Sequence, residues 1–251
     1  MDSLVTISIV SHNQSTLVNF LLIDLSNINF TGPIILTSNL PGDNFEIPEK
    51  LLNQVRFISP PAPKGFGANH NYAFRYCNTP YFAILNPDIR IPHNPFENLQ
   101  LGIVGETALI APAILGPSGQ PEDNARHFPT PFSLIKKVIH MDHGHYPYQV
   151  GNPPFAPDWV GGMFMMIKSD VFRQLNGFDE GFFLYYEDVD LCARLQMAGW
   201  KVKLDPSVSA IHHAQRASHQ NIKYLKWHVL SMVRYLVKHS LWLLRRKHKT
   251  F

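Results

Sequence analysis

Three carboxylates follow an aromatic and apolar run in the segment FFLYYEDVDLCARL, at Glu187, Asp188 and Asp190. A carboxylate beside buried aromatic surface can cap a helix, pair with a cation, or have its pKa shifted toward a value that suits proton transfer. Asp188 falls at a predicted helix N-terminus, where negative charge is favoured, and the i, i+4 spacing of Asp190 and Arg194 predicts a surface pair. Capping alone does not explain Glu187 and Asp188 together, so they are candidates for acid–base chemistry.

A further carboxylate, Asp88, ends the apolar stretch of YFAILNPDIRI in a turn that begins at Asn86. Mg²⁺ typically binds one or two protein carboxylates together with substrate phosphate oxygens, so Asp88 is a candidate metal ligand. An Asx-type turn is the alternative. His212 and His213 follow a later predicted strand, and neutral imidazole is a plausible second ligand, although a lone histidine is more often structural.

Two glycine-containing segments complete the set of candidate site residues. PKGFGANHNYAF places Gly65 and Gly67 at the entrance to a helix, where backbone N–H groups can approach an anion closely. This pattern is neither a P-loop nor a Rossmann fingerprint, and it is a weak signal by itself. In WVGGMFMMIK, Gly161 and Gly162 allow close backbone approach beside Trp159, and a bulge in a core strand explains them equally well.

Strands alternate with helices in the first half of the chain. This alternation predicts a parallel or mixed sheet covered by helices on both faces. In such sheets ligands bind beyond the carboxyl ends of the strands, which here means the loops at 11–13, 38–40, 60–71 and 86–90. The predicted strands are residues 4–10, 33–37, 55–59 and 81–85, and the predicted helices lie around 17–25 and over 68–76.

The second half is less regular. A long segment rich in proline and histidine, 141–157, reads as a lid or as a poorly ordered loop. The predicted strands are 109–115, 159–168, 202–204 and 208–211, and the predicted helices are 131–140, 169–175 and 188–198.

Composition fits one large domain or a domain with an appendage, because 251 residues with 45% hydrophobic side chains can bury a full core. Only Cys77 and Cys192 occur, so neither a disulfide framework nor a zinc site is indicated, and a reducing compartment is expected. The first residues lack the basic region of a signal peptide and are typical of a strand.

Charge is distributed unevenly along the chain. Nine of the 22 Lys and Arg residues follow Asp205 and no acid does, so the remaining 13 cations and 19 acids leave a body of charge −6. The tail predicts a basic amphipathic helix that suits an anionic membrane surface, with packing on its own domain or on a partner as the alternative. Its predicted apolar face comprises Ile222, Leu225, Val229, Val233, Leu236 and Leu243.

LNPD, the block from WVGGMFMMIK to LCARLQMAGW, and AIHHAQRASH followed by KWHVLSMVRYL resemble, in order, motifs of bacterial glycosyltransferase family 2, in particular O-antigen rhamnosyltransferases. The resemblance covers nearly the whole chain. It implies a GT-A fold of the α/β class, with a mixed, mostly parallel sheet and inversion at the anomeric carbon. Residues 1–215 would form the transferase domain, with a nucleotide-sugar half at 1–90 and an acceptor half at 91–215, and 216–251 the helical tail.

The resemblance also assigns roles to residues. Asp88 corresponds to the last acid of an Asp-x-Asp element that holds Mg²⁺ or Mn²⁺ on the donor diphosphate, Asp188 resembles the catalytic base beside Glu187, and His212 the late metal ligand, with His213 in reserve. Relatives carry a base-reading Asp after the second strand, but LTSNL has none. The residues expected to bind substrates are Ser11, His12, Asn13, Ser38, Asn39, Gly65, Phe66, Gly67, Asn71, Asn86, Trp159, Gly161 and Gly162.

The resemblance implies transfer of L-rhamnose from dTDP-rhamnose to a polyprenyl-diphosphate-linked glycan, on the cytoplasmic face of the bacterial inner membrane. Alternatives are a UDP- or GDP-sugar donor, or a non-catalytic glycan-binding or scaffold relative, although that relative would have lost its carboxylates. A sugar-nucleotide pyrophosphorylase would show a glycine-rich, basic first loop, which SIVSHNQ lacks. The acidic body argues against a nucleic-acid partner for the basic tail.

Overall fold

The computed structural model describes residues 4–133, 144–213 and 222–247. The strands are β1 Val5–Ser11, β2 Ile34–Ser38, β3 Val55–Ile58, β4 Tyr81–Leu85, β5 Ile89–Arg90, β6 Thr107–Leu115, β7 Ala125–Arg126, β8 Trp159–Val160, β9 Phe164–Lys168 and β10 Lys201–His212. The helices are α1 Ser15–Asn27, α2 Phe66–Phe74, α3 Phe96–Gly102, α4 Ser169–Gln174, α5 Glu187–Met197 and α6 Ile222–Lys247, with a 3₁₀ turn at Glu49–Leu51.

Eight strands form one mixed sheet in the order β3-β2-β1-β4-β9-β6-β10-β5, and β7 pairs with β8 in a small second sheet. Strands β3, β2, β1 and β4 are parallel neighbours, and β6 is parallel to β10. Strand β9 runs antiparallel to both β4 and β6, and β5 runs antiparallel to β10. The predicted α/β class with a mostly parallel central sheet is therefore confirmed.

Alternation along each strand divides the core between the two faces of the sheet. In β4, Phe82 and Ile84 contribute to one buried cluster, whereas Ala83 and Leu85 contribute to the other. Successive side chains of a strand point to opposite faces of the sheet. Because helices and loops cover both faces here, the side chains on each face are apolar. The central strands are thus rigid supports for the loops that follow them.

The carboxyl ends of the six parallel strands lie at one edge of the sheet. Leu85 at the end of β4 pairs with Phe164 at the start of β9, so the segment that precedes β9 lies at this same edge. Leu115 at the end of β6 pairs with Ile211 near the end of β10. Residues that follow β1, β2, β4, β6 and β10, and those that precede β9, are consequently brought together.

Two predicted strand assignments in the second half were wrong. The stretch 159–168 is two strands in different sheets, since Gly161 and Gly162 break the run between β8 and β9. The predicted strands 202–204 and 208–211 form one strand, β10, whose pairing with β6 shifts register between Asp205 and Ser209. A bulge accommodates the intervening residues without ending the strand.

The predicted segment 131–140 is helical at 131–133, and residues 134–143, which also begin the predicted loop 141–157, lie outside the described residues. Across 144–157 the backbone forms isolated bridges rather than a regular strand, pairing Arg126 with His145 and Phe155 with Leu204. This segment therefore packs on the domain through Phe155 and Tyr146, which belong to the periphery of the core.

Helix α6 is the predicted helical tail, but its predicted apolar face is divided between two sides. Leu243 is buried and Leu236 packs on the core, whereas Leu225, Val229 and Val233 are exposed. The helix contacts the domain through a stripe of period four that contains Ser231, Tyr235, His239 and Leu243, all buried. Within the described residues, no helix combines the length and apolarity that crossing a membrane requires.

Candidate active site

Asp88 and His212 lie side by side at the sheet edge, because the two-residue strand β5 that follows Asp88 pairs with the last residues of β10. The Asp88 Oδ2 to His212 Nε2 distance is 3.3 Å, and both side chains are 13% exposed. The other ring nitrogen, His212 Nδ1, lies 2.7 Å from Glu122 Oε2. Glu122 was not predicted, since it lies 90 residues from its partner and in no recognisable motif.

Hydrogen bonding fixes His212 between two carboxylates. Burial alone would lower the pKa of His212, but hydrogen bonds and charges from Asp88 and Glu122 raise that pKa to about 9. His213 is exposed and its backbone N–H donates to the Asp88 carbonyl at 2.9 Å. The geometry therefore supports His212, rather than His213, as the side chain directed at the predicted metal site.

Among the described residues, no group of three or more His, Cys, Asp and Glu side chains has the spacing of a protein-only metal centre. The Oδ1 atom of Asp88 is buried and has no hydrogen-bond partner there. A carboxylate oxygen without a partner beside an imidazole fits a divalent cation that takes its remaining ligands from a substrate diphosphate. Glu122 then holds the imidazole from behind, as carboxylates commonly do for metal-bound histidine.

Glu187 and Asp188 begin helix α5 at the same edge and differ in environment. Glu187 is 5% exposed, and its Oε2 has no hydrogen-bond partner among the described residues. Asp188 Oδ2 accepts the backbone N–H of Gly162 at 3.0 Å, and Oδ1 accepts that of Val189 at 2.8 Å. Backbone donors stabilise an ionised carboxylate, so the bonding favours charge on Asp188 over charge on Glu187.

The two carboxyl groups titrate as a pair. Burial, together with the charge of Asp188, raises the pKa of Glu187 well above its ordinary value. Burial also raises the pKa of Asp188, but the backbone donors at Val189 and Gly162 and the charge of Arg126 oppose that rise. Burial thus opposes ionisation of both carboxyl groups, and the hydrogen bonds from Val189 and Gly162 oppose that effect at Asp188.

The turn into α5 is strained. Tyr185 and Tyr186 both have left-handed backbones, with φ of 69° and 66°. Side chains other than Gly, Asn and Asp rarely adopt this conformation, and each such residue costs on the order of 1–3 kcal/mol. The surrounding structure must hold both tyrosines for Asp188 to face the edge of the sheet.

The loops after β1 and β2 are joined by a residue that was not predicted. Asp43 accepts hydrogen bonds from Ser11 Oγ at 2.7 Å and from Ser38 Oγ at 2.9 Å. It lies five residues after Ser38, beyond the position where relatives were expected to carry an acid. LTSNL itself has no acid, but the same loop carries one five residues after Ser38.

Asn39 joins these loops to the glycine segment. Its side chain lies 3.1 Å from His12 Nδ1, accepts the Lys64 N–H at 2.8 Å and donates to the Lys64 carbonyl at 2.9 Å. His12 itself is exposed, as is Asn13, whose φ of 60° turns the chain from β1 toward α1. The predicted nucleotide-binding residues of the first two loops therefore form one connected surface.

The glycine segment packs tightly against the stretch that leads to α5. A Cβ atom at Gly65 would collide with the backbone of Phe183, and one at Gly67 would lie 2.7 Å from the Phe178 Cβ. Asn71 accepts from the Phe178 N–H and donates to its carbonyl, both at 2.9 Å. These contacts explain Gly65, Gly67 and Asn71 structurally, and their contact with a nucleotide stays a prediction.

The Gly161–Gly162 pair lies directly beside the catalytic candidate. Gly161 N–H donates to the buried Asn124 side chain at 3.0 Å, and Gly162 N–H donates to Asp188. Phe66 borders the same space, since a Cβ at Gly162 would lie 3.4 Å from the Phe66 Cζ. A side chain at Gly162 would thus lie against both Phe66 and Asp188.

Trp159 precedes the glycine pair in β8, and Asn86 is hydrogen-bonded to Met163, the residue that follows the pair. Trp159 Nε1 donates to the His127 carbonyl at 3.0 Å, and the Arg126 guanidinium lies 5.8 Å from the centre of the indole. The Asn86 N–H donates to the Met163 carbonyl at 2.9 Å, which ties the β4 turn to the glycine pair. The metal candidates, the base and the glycines are therefore parts of one edge.

The prediction that Asp190 pairs with Arg194 at the surface was wrong in its location. Asp190 is fully buried, and it receives Arg194 Nε at 2.7 Å, Lys238 Nζ at 2.6 Å and His239 Nε2 at 2.8 Å. The spacing identified one partner correctly, but the other two come from α6. Burial of this charge is tolerated because it is surrounded by donors.

Residues 140–220 match a family model described as the N-terminal domain of galactosyltransferase. Rhamnosyltransferase WbbL of Escherichia coli (strain K12) is 29% identical over 69% of this chain and 70% of its own length. The N-acetylglucosaminyl-diphospho-decaprenol L-rhamnosyltransferase of Mycobacterium tuberculosis (strain ATCC 25618 / H37Rv) is 32% identical over 53% of this chain and 47% of its own length. This chain thus spans about half of the mycobacterial relative.

Solved structures carry the same architecture. The mannosyltransferase PcManGT from Pyrobaculum calidifontis, in complex with GDP-Man and Mn²⁺, superposes with a TM-score of 0.62 over 98% of this chain and 65% of its own, at 14% identity. The chain has the GT-A fold. GalNAc-T7 with UDP, GalNAc and Mn²⁺ gives a TM-score of 0.61 over 83% of this chain and 42% of its own, also at 14% identity.

The resemblance to rhamnosyltransferases, the GT-A fold and the assignment as a glycosyltransferase are therefore confirmed. The matched segment 140–220 contains the Gly161–Gly162 pair, the Glu187–Asp188 pair and His212. In this glycosyltransferase the residues that sequence motifs single out lie together at the edge where the parallel strands end.

Proposed function

We propose that this glycosyltransferase inverts the anomeric centre of a nucleotide-diphosphate sugar by direct displacement. One observation carries the proposal: the Asp188 carboxylate, hydrogen-bonded to Gly162, opens onto the same sheet edge as the Asp88–His212 pair. A base and an anion-stabilising pair are the two requirements of sugar transfer from a diphosphate. In this proposal Asp88 and His212 are held by β5 and β10 at the sheet edge, and Asp188 is held by the first turn of helix α5.

In the proposed step an acceptor hydroxyl attacks the anomeric carbon while the bond to the donor diphosphate breaks. The hydroxyl proton passes to Asp188. General base catalysis of this kind accelerates the reaction by roughly 10²–10⁴-fold. Glu187 stays protonated, and the absence of a side chain at Gly162 leaves room for the attacking group. Trp159 and Phe66 border this space and are proposed to contact the acceptor.

Negative charge grows on the departing nucleotide diphosphate. Asp88 and His212 are the residues that would hold a divalent cation, Mg²⁺ or Mn²⁺, and Glu122 would keep the imidazole oriented. When bound, such a cation neutralises charge on the diphosphate oxygens. The loops of Ser11–Asn13 and Ser38–Asn39, tied together by Asp43, are proposed to receive the nucleotide.

The donor we propose is dTDP-L-rhamnose and the acceptor a polyprenyl-diphosphate-linked glycan of a cell-surface polysaccharide such as O-antigen. Support comes from the relatives, which are named as rhamnosyltransferases, one of them for a diphospho-decaprenol substrate. A UDP- or GDP-sugar is the second candidate, because solved structures of this fold hold UDP or GDP-Man. We propose that residues 1–215 form the transferase domain, with a nucleotide-sugar half at 1–90 and an acceptor half at 91–215, and that residues 216–251 form the tail.

A lipid-linked acceptor would require contact with a membrane. The side of α6 that faces away from the domain is apolar, with Val237 72% exposed and Leu241 70% exposed. The helix sequence contains no acid, and Lys226 on it is exposed. This combination suits the anionic inner face of the bacterial inner membrane, where we place the protein as a peripheral enzyme.

A panel of nucleotide sugars with a polyprenyl-diphosphate-linked acceptor tests the proposal. Release of nucleotide diphosphate and the mass of the glycolipid are measured with Mg²⁺, with Mn²⁺ and with chelator. We expect dTDP-rhamnose to be used in preference to UDP- and GDP-sugars, and chelator to abolish transfer. Preference for a UDP- or GDP-sugar would favour the second candidate, and no metal-dependent transfer with any donor would contradict the proposed function.

A further inference from the structure

Helix α6 contacts the strained Tyr185–Tyr186 turn that precedes helix α5. Ser231 Oγ donates to the Leu184 carbonyl at 2.9 Å, immediately before the two left-handed tyrosines. The His228 ring lies 5.3 Å from the Tyr185 ring and 5.4 Å from the Tyr186 ring, and the buried Tyr235 ring lies 5.6 Å from that of Tyr186. Three successive residues of the turn are therefore held by one helix.

The same helix is fastened to both sides of this turn by ion pairs. On the far side, His239 and Lys238 bond the buried carboxylate of Asp190, one helical position beyond Val189. On the near side, Arg234 and Lys238 bond Asp179 at 3.0 and 2.6 Å. Lys238 thus connects the loop before the turn with the helix after it.

Close packing reinforces these bonds. The Arg234 guanidinium occupies the space that a Cβ atom at Gly181 would fill, so Gly181 is needed for the helix to approach. Arg194, the third partner of Asp190, donates to the Leu175 and Gly177 carbonyls at 2.8 and 2.7 Å. Residues between Leu175 and Asp190 are consequently held in place by hydrogen bonds and ion pairs from α6 and from Arg194.

Two adjacent left-handed tyrosines are costly, and such a conformation persists only where surrounding contacts determine it. We propose that α6 is a positioning element for catalysis: its Ser231–Tyr235–His239 face holds the Tyr185–Tyr186 turn and thereby aims the Asp188 carboxylate at the acceptor. The inference rests on the proposed role of Asp188 as the base. None of the α6 residues touches the reacting atoms, so they act through the turn.

Ser231→Ala tests the inference, because it removes one hydroxyl group and with it the hydrogen bond to the Leu184 carbonyl. Steady-state kinetics with a water-soluble acceptor analogue should show kcat reduced about fivefold, the effect of one lost hydrogen bond, with KM for donor and acceptor within about twofold. The acid limb of the pH profile should move to lower pH, because water reaches a loosened Asp188. Ser231→Thr, which keeps the hydroxyl, should restore kcat.

Ser240→Ala is the matched control, since Ser240 lies on the same helix, is exposed, and donates its hydroxyl proton to the Val237 carbonyl of its own helix. It should behave as wild type. His228→Ala, which removes the ring contacts with both tyrosines, is the second variant should Ser231→Ala fail to fold by circular dichroism. A wild-type kcat in both folded variants would overturn the inference.

Asp188→Asn separates this inference from the proposed function. If Asp188→Asn loses transfer while Ser231→Ala and His228→Ala keep wild-type kcat and pH profile, the base stands and the positioning role of α6 is wrong. If folded Asp188→Asn transfers normally, the proposed base and the inference fall together. Loss of kcat in Ser231→Ala with a proportional rise in KM would also contradict a purely positioning role.

Discussion

Three carboxylates within four residues have three different fates at the start of α5. Glu187 is buried without a hydrogen-bond partner for Oε2 among the described residues, Asp188 accepts two backbone N–H groups, and Asp190 is surrounded by three cationic or imidazole donors. Environment, rather than residue type, therefore distinguishes the three carboxylates, and it supports the proton-accepting role that we propose for Asp188. Hydrogen bonds from His239, Arg194 and Lys238 outweigh burial and lower the pKa of Asp190, which keeps it ionised.

Glu187→Gln is predicted to retain most of the wild-type turnover, because an amide mimics the protonated acid that we assign to Glu187. In wild type, burial raises the pKa of Asp188, so kcat/KM should fall on acidification at a pH above the ordinary carboxyl value of about 3.9. Activity is present while Asp188 is ionised and is lost as the pH drops through its raised pKa. Initial rates between pH 4 and 8 measure this limb, and abolished turnover in a folded Glu187→Gln enzyme would contradict the assignment.

Asp43→Ala is predicted to raise KM for the donor by about fivefold or more while changing kcat little. The carboxylate joins Ser11 to Ser38, so its loss frees both loops that are proposed to receive the nucleotide. Asp170→Ala is a control at an exposed carboxylate on α4. Donor titrations at saturating acceptor make the comparison, and an unchanged donor KM would argue against nucleotide binding at these loops.

At this scale, sequence identified the acids but not all of their partners. Asp88, Asp188 and the histidines were found because each ends a recognisable apolar run or motif. Glu122 and Asp43 were missed, since hydrogen bonds across long or irregular chain separations leave no periodic signal. Asp190 was misplaced for the same reason. The i, i+4 spacing is the same for a surface pair and a buried pair, and His239 of the helix that covers Asp190 lies 49 residues away in the sequence.

At the scale of elements, period-two alternation located the strands well. The prediction for β4, residues 81–85, coincides with the observed strand; those for β1 and β2 are shifted by one residue, and that for β3 is one residue too long. Errors arose where one chain segment changes sheets at Gly161–Gly162, or where a bulge joins two apparent strands in β10. Local patterns do not report which neighbouring strand is present.

Helix α6 is held to the loop before α5 by Asp179, and this attachment should depend on pH. Burial would raise the pKa of Asp179, but hydrogen bonds from Lys238, Gly181 and Arg234 lower it to about 2. A lowered pKa means that the stabilisation is complete above the unfolded value, near 3.8, and is lost as pH falls toward 2. We expect Asp179→Asn to reduce the free energy of unfolding at pH 7, with the difference shrinking between pH 4 and pH 2.

Urea unfolding at several pH values, followed by circular dichroism, measures this effect. Glu106→Gln is a matched control, because Glu106 pairs with Lys201 at 2.9 Å but is 68% exposed. Exposed pairs contribute little, so the control should differ from wild type by less than about 1 kcal/mol at every pH. A pH-independent loss in Asp179→Asn would exclude the ion pairs as its cause.

At the scale of the whole molecule, an acidic body is joined to a basic helix whose two sides have different surroundings. One side of α6 binds the turn before Asp188, and the other exposes valine and leucine side chains along the helix. Membrane contact and positioning of the base would thus be properties of one element.

Val237→Glu should weaken binding to vesicles of anionic phosphatidylglycerol at least about tenfold, because it puts a charge on the proposed lipid-facing side. Val104→Glu is the control, since Val104 is 60% exposed on the body of the protein. Vesicle co-sedimentation compares both variants with wild type, against zwitterionic phosphatidylcholine as a second lipid. Equal binding of Val237→Glu and wild type would contradict the membrane assignment of α6.

The most direct measurement is sugar transfer by Asp188→Asn, with exposed Asp170→Asn as the matched substitution. The amide keeps the shape of the side chain but cannot take the acceptor proton. We predict that kcat falls at least about 10²-fold while donor affinity and the unfolding midpoint stay close to those of wild type, and that Asp170→Asn is fully active. A folded Asp188→Asn enzyme that transfers sugar at a near wild-type rate would contradict the account.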